Sequence, residues 1–117
     1  MDDLMNCITQ KTTDLFVSSD GQYQKVRVNE ILWITSDGNM AHLHCINNTY
    51  IIRMSLTGLL KLMPSNLFMK VHKSFIVQLD AIERIDRTNN ILVINHTKIP
   101  IGRNYKSELL ARFKLIG

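Results

Sequence analysis

Cysteine, proline and glycine are scarce in this 117-residue chain, which has two cysteines, two prolines and five glycines. Cys7 and Cys45 form no CxxC pair, so we expect free thiols and not a disulfide framework. The sequence contains no internal repeat and no low-complexity segment. No apolar run approaches the roughly 20 residues of a membrane-spanning helix. The acidic residues 1–6 do not resemble a signal peptide, so we expect a cytoplasmic protein without a membrane partner.

The sequence motifs of common enzymes are missing as well. There is no nucleophile elbow, P-loop, HExxH sequence or dinucleotide-binding fingerprint. The acids Asp80, Glu83 and Asp86 lie on a predicted strand, interleaved with isoleucines. His42 and His44 share one strand face, but two ligands without a third at a sensible spacing are a weak metal signal. We therefore expect no catalysis, no metal site and no cofactor.

The charge is moderately basic and unevenly distributed. Lys and Arg number 14 against 10 Asp and Glu, which gives a net charge of +4. Residues 1–67 carry five basic and six acidic residues, whereas residues 68–117 carry nine basic and four acidic residues. This surplus in the second half favours a polyanionic partner, although an ordinary charged surface can produce such a skew.

Short apolar segments joined by Asp, Asn and Gly turns predict a mainly β fold. Residues 30–35 form a nearly continuous apolar run that is typical of a central strand. Asp37-Gly38 is the strongest hairpin signal, because both residues accept the positive φ of a tight turn. Residues 79–86 are predicted to form one further strand.

Two short helices accompany the predicted strands. Ser55 can cap the first helix, and Pro64 ends it. The apolar stripe of the first helix consists of Leu56, Leu59, Leu60 and Met63. The second helix begins at Arg103, with Tyr105, Leu109 and Phe113 spaced four apart on one face. Residues 1–13 show no periodicity and are predicted to be a flexible lead-in.

The stretch 68–77 (FMKVHKSFIV) alternates apolar and polar residues around a basic turn. Its apolar residues Met69, Val71, Phe75 and Val77 should share one buried strand face. Its middle is polar and basic, with Lys70, His72, Lys73 and Ser74. A second polar and basic elbow follows a strand in residues 99–106 (IPIGRNYK). Each elbow alone is consistent with a solvated turn as well as with a surface for an anionic partner.

These two stretches, with residues 28–34 (VNEILWI) and the turn 37–40 (DGNM), closely resemble the LytTR DNA-binding domain. That domain is the output module of many bacterial response regulators of the LytR/AlgR type. The resemblance implies an elongated arrangement of small antiparallel sheets with one or two short helices, which presents loops to DNA. It predicts one DNA-binding domain over residues 14–117, after the lead-in of residues 1–13.

Sequence readout requires side chains that reach base edges, and a rigidly held arginine can donate two hydrogen bonds to one guanine. Arg103 fits this role, because Pro100 stiffens the strand before it and a helix follows. The resemblance adds the loop 37–41 and the position after the central histidine. We therefore expect base contacts from Asn39, Met40, Lys73 and Arg103. The alternatives are that Arg103 is a solvated first-turn helix residue and that Lys73 is a plain surface lysine.

Six further residues are candidates for phosphate contacts, or else solvated polar groups. They are Lys70, Ser74, Arg87, Lys98, Asn104 and Lys106. His72 is expected to pack and hydrogen-bond in support of the site. The chain departs from the family pattern at Thr35, where an acidic residue is common, and at Gly102, where serine is common. Neither change removes a cation.

The resulting prediction is sequence-specific binding of double-stranded DNA for transcriptional regulation. The alternative is a small β-rich module that binds RNA or protein, but RNA modules usually expose several aromatic residues. The resemblance implies paired direct repeats in the DNA and a receiver domain in cis or in trans. Because no heptad stripe is present, we expect a monomer in solution, with two copies on the DNA.

Overall fold

Ten strands, two α-helices and two short 3₁₀ turns form residues 14–117, the part of the chain that the computed structural model describes. The strands are β1 (Asp14–Ser19), β2 (Gln22–Arg27), β3 (Ile31–Asp37), β4 (Met40–Cys45), β5 (Thr49–Ile52), β6 (Phe68–His72), β7 (Phe75–Gln78), β8 (Arg84–Asp86), β9 (Ile91–Ile94) and β10 (Thr97–Pro100). The helices are α1 (Leu56–Leu62) and α2 (Arg103–Leu110), and the 3₁₀ turns are Val28–Glu30 and Leu79–Ala81. The lead-in predicted for residues 1–13 lies outside the described residues.

The strands form three antiparallel sheets. β1 and β2 form a hairpin, β5-β4-β3-β7-β6 is the order of the largest sheet, and β10-β9-β8 is the order of the third. β3 lies in the middle of the five-stranded sheet, as its nearly continuous apolar run predicts. The principal-axis extents of 43 × 40 × 24 Å show a body that is extended in two directions and thin in the third. The predicted class, mainly β with small antiparallel sheets and short helices, is confirmed.

The five-stranded sheet separates two hydrophobic cores. One core lies beneath α1 and the β1–β2 hairpin and includes Val17, Val26, Ile34, Leu43, Leu59, Phe68 and Ile76. The other lies beneath the three-stranded sheet and α2 and includes Met69, Val71, Val77, Leu92, Ile94, Ile99 and Leu109. Because successive side chains of a strand point to opposite faces, β6 and β7 contribute to both cores. Each large apolar side chain buried in this way contributes about 1.5–3 kcal/mol.

The stretch around residues 68–77 is more deeply buried than its pattern predicts. Met69, Val71 and Val77 are buried on the expected face, and Phe75 is half-buried there. Phe68 and Ile76 are also buried, on the opposite face. Both faces are covered because one core packs on each side of the sheet, a fact that strand alternation alone does not reveal.

Both helices occur where they were predicted, but each ends before the last residue of its predicted apolar face, which is Met63 for α1 and Phe113 for α2. The Gly58 amide donates a hydrogen bond to Ser55 Oγ at 3.0 Å, which is the predicted N-cap. Pro64 lies two residues beyond the end of α1. α2 ends at Leu110, so Phe113 follows the helix instead of continuing its apolar face. Phe113 nevertheless packs against the second core.

The single strand predicted over residues 79–86 is wrong. The chain instead leaves the five-stranded sheet through the 3₁₀ turn Leu79–Ala81 and enters the three-stranded sheet at β8. The Leu79 amide donates to the Leu67 carbonyl oxygen at 2.7 Å, and the Ile82 amide donates to the Leu79 carbonyl oxygen at 3.3 Å. The chain must bend to pass from one sheet to the other. Ile82 and Ile85 are spaced as in a continuous strand because the residues before and after the bend pack in the same core.

Candidate nucleic-acid interface

Three segments that are distant in sequence meet at one end of the five-stranded sheet. β3 pairs antiparallel with both β4 and β7, so the turn after β3 lies beside the turn before β7. The Ser36 amide donates to the Ser74 carbonyl oxygen at 3.1 Å. The Gly102 amide donates to the Val71 carbonyl oxygen at 2.7 Å, which joins the start of α2 to the end of β6. We call this end of the sheet the turn edge, formed by residues 38–40, 73–74 and 102–104.

The β3–β4 turn has a loop of two residues. Asp37 pairs with Met40, which leaves Gly38 and Asn39 in the loop. Gly38 has a φ of +64°, a conformation that glycine adopts without steric penalty. Asn39 is exposed at the tip and Met40 is half-buried at the start of β4. Ala41, which the predicted loop included, is fully buried in β4, so the accessible loop is shorter than predicted.

The β6–β7 turn presents Lys73 and is closed by a histidine. Lys73 is exposed, whereas His72 and Ser74 are half-buried. The Ser74 amide donates to His72 Nδ1 at 3.1 Å, which connects the two ends of the turn. The His72 ring also contacts the Phe75 ring edge-on, with centroids 5.5 Å apart. These two contacts restrain the backbone that carries Lys73.

The start of α2 presents Arg103 beside that turn. Arg103 is exposed and is the first residue of the helix. A cation at a helix start opposes the helix dipole by about 0.3–1 kcal/mol, so helix stability does not explain an arginine there. A Cβ on Gly102 would lie 3.0 Å from Tyr105 Cδ2 and 3.6 Å from His72 Cα. Glycine at this position therefore permits close packing of the helix start against β6.

The β8–β9 turn, which contains Arg87, is attached to the same helix. Lys106 Nζ donates to the Arg87 carbonyl oxygen at 2.7 Å. The Asp86 carboxylate accepts bonds from the Asn89 and Thr88 amides, both at 3.0 Å. The bonds from Asn89, then the Thr88 amide and the charge of Arg84, lower the pKa of Asp86, so it stays ionised at neutral pH. This network orders the turn and places Arg87 next to α2.

A family model described as the LytTr DNA-binding domain matches residues 21–114, a range that includes the whole turn edge. The chain belongs to the LytTr DNA-binding domain family. The predicted resemblance is therefore confirmed. Membership of this family and the regulator relatives support DNA binding for transcriptional regulation. The family is one of regulatory and not enzymatic modules.

Curated relatives of this LytTr domain are sensory transduction proteins. It is 28% identical over 88 residues to LytT of Bacillus anthracis and 30% identical over 73 residues to LytR of Streptococcus mutans. The matches cover 72% and 59% of this chain but 36% and 30% of the relatives. The chain thus spans about a third of the length of these relatives.

A solved LytTr DNA-binding domain from Bacillus cereus has the same fold. It superimposes with a TM-score of 0.75 at 18% sequence identity, over 86% of this chain and 95% of that chain. At this level of identity the likeness concerns the arrangement of strands and helices and not individual side chains.

Of the other predicted contact residues of the LytTr domain, one lies in the turn edge and two lie outside it. Asn104 is exposed in the first turn of α2, beside Arg103. Lys70 is half-buried in β6 and lines a shallow cavity with Tyr105. Lys98 is exposed in β10, on the outer face of the three-stranded sheet. The structure therefore brings together the four predicted base contacts with Ser74 and Asn104, and places Lys70 and Lys98 outside that group.

One cation near the turn edge was missed by sequence reasoning. Arg53 is exposed and follows β5 directly. Because β4 and β5 are antiparallel and Ala41 pairs with Ile52, the residue before Ala41 and the residue after Ile52 are neighbours, which places Arg53 beside Met40. A two-residue turn at Asn47-Asn48 would have paired Arg53 with His42, so no signal in the sequence indicated the observed position, which follows from the pairing of His44 with Thr49.

The paired histidines lie on the open face of β4. The His44 ring stacks on the Trp33 ring at a centroid distance of 4.6 Å, and His44 Nε2 lies 3.2 Å from Thr35 Oγ1. Burial, and then the charge of His42, lower the pKa of His44. Among residues 14–117, no group of three His, Cys, Asp or Glu side chains could hold a metal ion.

The structure of the described residues also bears on the Cys45 thiol and on membrane-spanning helices. Burial, and then the charge of Glu30, raise the pKa of the Cys45 thiol to about 11. That thiol is therefore protonated and unreactive at neutral pH. None of the helices in residues 14–117 is long and apolar enough to cross a membrane.

Proposed function

We propose that the turn edge binds double-stranded DNA sequence-specifically and reads bases in the major groove. The observation that carries this proposal is the convergence of two hairpin turns and a helix start on one end of the sheet. The centres of the two turns are two strand spacings apart, or roughly 10 Å. That separation is compatible with a major groove about 12 Å wide. Residues 14–117 would form the binding domain, and a chromosomal target implies the cytoplasm.

Base contacts are assigned to four side chains of the turn edge, each exposed or half-buried. Arg103 can donate two parallel hydrogen bonds to guanine O6 and N7, and Asn39 can pair with the adenine edge. Met40 can make apolar contact with a thymine methyl group, and Lys73 can donate to guanine. His72 would support Lys73 by holding the Ser74 amide, because its Nδ1 is the acceptor that closes the turn.

Phosphate contacts surround these base contacts. Arg87 and Lys106 are joined to each other through a hydrogen bond at 2.7 Å, so they would grip the backbone as one unit. We also assign Lys70, Ser74, Lys98, Asn104 and the newly identified Arg53 to this group. Cations and amides of this kind fix the register of a protein on DNA without reading its sequence.

The partners follow from the same surface. A domain of this size with one reading edge fits one half-site, so paired direct repeats would bind two copies. We propose a monomer in free solution and assembly on the DNA. We further propose that a receiver domain, in cis or in trans, controls the LytTr domain, in line with the sensory transduction proteins it resembles.

Competition binding tests the proposal. Duplexes are first selected from a random pool, and labelled duplex is then competed with unlabelled duplex, single-stranded DNA and RNA of the selected sequence. We expect the duplex to compete far better than the other two. Equal competition by RNA or by a single strand would contradict the proposal.

A second candidate, an RNA-binding or protein-interaction module, has one observation in its favour. Phe16 and Tyr23 are 63% and 75% exposed. They share one face of the β1–β2 hairpin, because Ser18 lies two residues from Phe16 and opposite Tyr23. Exposed aromatics can stack on unpaired bases. Effective competition by RNA, lost in Phe16→Ala, would favour this candidate.

A further inference from the structure

The outer face of the three-stranded sheet carries two cations, Lys98 and Arg84, and Arg84 is not among the base and phosphate contacts proposed above. Val93 pairs with Arg84 on one side and with Lys98 on the other. Residues directly opposite each other in antiparallel strands share one face. Arg84, Val93 and Lys98 therefore form a single row across the sheet. We call this row, with the neighbouring row of Asp86, Ile91 and Pro100, the outer face.

The opposite face of this sheet belongs to the core. Ile85, Leu92 and Ile99 form the alternate row and pack in the second hydrophobic core. The inner side chains therefore fix the sheet, and Arg84 and Lys98 must point away from it. Both are exposed, on either side of Val93, which is only 8% exposed. Arg84 and Lys98 therefore lie about two strand spacings apart, with the apolar side chain of Val93 between them.

Neither cation forms a direct ion pair in the described residues, although the charge of Arg84 acts at longer range on the Asp86 carboxylate. Within residues 14–117, neither Arg84 nor Lys98 forms a salt bridge. The one carboxylate on the outer face, Asp86, uses both oxygens to bind Thr88 and Asn89. The positive charge of the row is therefore available to an external anion.

The outer face is continuous with the turn edge. β10 runs from Lys98 through Pro100 towards Arg103, and five residue steps of extended chain span at most about 18 Å. The Ile101 amide donates to the Asn90 carbonyl oxygen at 2.8 Å, which ties the β8–β9 turn to the start of α2. Since base pairs rise 3.4 Å along each strand, the row reaches phosphates within roughly five base pairs of the base that Arg103 contacts.

From this geometry we infer that Arg84 and Lys98 bind the phosphate backbone of DNA flanking the base-read segment, on one side only. The inference rests on the proposed function and deepens it. It adds Arg84 to the DNA contacts and predicts that the contacted DNA extends beyond the base-read segment to one side. The asymmetry follows from the position of the three-stranded sheet, which lies beside α2 and not beside the β3–β4 turn.

The test uses the full chain and three duplexes that carry the sequence selected by the wild-type protein. One duplex extends ten base pairs beyond the selected segment on both sides, and each of the others lacks one flank. The variant is Arg84→Gln/Lys98→Gln, which keeps an unbranched polar side chain at each position and removes the charge. Lys61→Gln, an exposed change near the end of α1, is the matched control.

We expect the double variant to reduce the log–log salt slope on the long duplex by about 1.8, or 0.9 for each lost phosphate contact. If the variant and the wild type bind equally at 1 M salt, a slope change of that size makes the variant bind roughly thirty-fold more weakly at 0.15 M salt. The loss should disappear on the duplex that lacks the contacted flank and persist on the other. Lys61→Gln should leave all three affinities within twofold, and Arg84→Lys should retain most of the binding.

Equal losses on all three duplexes, or no loss on any, would overturn the inference. Failure of the proposed function has a different signature, because the wild-type chain would then show no preference for any duplex over RNA. If wild-type specificity depends on Arg103 but the flank comparison shows no difference, only the flank contact is refuted. Thermal melts of both variants should match the wild type, since the changed residues are exposed.

Discussion

Replacing Arg103 by alanine is the sharpest test of how this LytTr domain reads DNA. A bidentate contact between arginine and guanine discriminates by about 1–3 kcal/mol. Arg103→Ala should therefore weaken binding to the selected site by about 5- to 140-fold, at 1.4 kcal/mol for each factor of ten. Binding to random DNA should weaken much less, because only a general electrostatic contribution is lost.

The structure also predicts the effect of this change on folding. Arg103 is exposed and stands at the first position of α2. Alanine has the highest helix propensity, and removing a cation from a helix start relieves an unfavourable dipole interaction of about 0.3–1 kcal/mol. The free energy of unfolding should therefore stay unchanged or rise slightly while affinity falls. Loss of affinity through misfolding would show the opposite sign in a thermal melt.

The assay is fluorescence anisotropy with selected and random duplexes at one salt concentration, which gives the ratio of the two Kd values. Arg112→Ala is the matched control, because Arg112 is exposed just beyond the other end of the same helix and its guanidinium donates, within the described residues, only to the Ser65 carbonyl oxygen. The control should leave the ratio unchanged. If Arg103→Ala also leaves it unchanged, Arg103 is a phosphate contact or a bystander, and readout must be sought at Asn39 and Met40.

Further outcomes are expected for two other variants, for the dependence on salt and for the oligomeric state. Lys73→Ala should reduce specificity as Arg103→Ala does, but at a different base step in a selection experiment; an unaltered selected sequence would contradict this. Wild-type binding should weaken steeply as the salt concentration rises, and an affinity that does not change with salt would refute DNA binding itself. Lys106→Ala should weaken binding to selected and to random DNA alike and reduce the salt slope by about one. Because Lys106 also bonds the Arg87 carbonyl oxygen, its loss should lower the free energy of unfolding by about 0.5–1.5 kcal/mol. Light scattering should find a monomer without DNA, and a stable dimer would contradict assembly on the operator.

Much of the fold could be predicted because it depends on neighbours in sequence. The hairpin at Asp37-Gly38, the Ser55 cap and the stripe of α1 each involve interactions within about four residues. The same holds for the polar turn between β6 and β7, where Lys73 is exposed as its flanking residues indicate. Element boundaries and sheet membership were less predictable. The strand expected over residues 79–86 failed because a change of sheet leaves little trace in hydrophobic spacing.

The candidate site was predictable as a set of residues but not as a surface. Sequence blocks identified Lys73 and Arg103, and their family resemblance supplied expected roles. Nothing local indicated that Ala41 is buried or that Arg53 lies beside Met40. Both facts depend on the register between β4 and β5, since a shift of one residue exchanges buried and exposed positions.

By itself, the sequence determined the class of this protein: a mainly β chain with a basic second half, two basic elbows and the motifs of a LytTr domain. Composition and short sequence stretches carry these properties, which would be the same whichever strands paired with one another. Only the tertiary structure decided that elbows 30 residues apart form one edge, through bonds such as Gly102 to Val71. It also decided that Arg84 and Lys98 share a row across Val93. The pairing of strands that are distant in sequence, such as β3 with β7, depends on the burial of both cores, so no local pattern contains it.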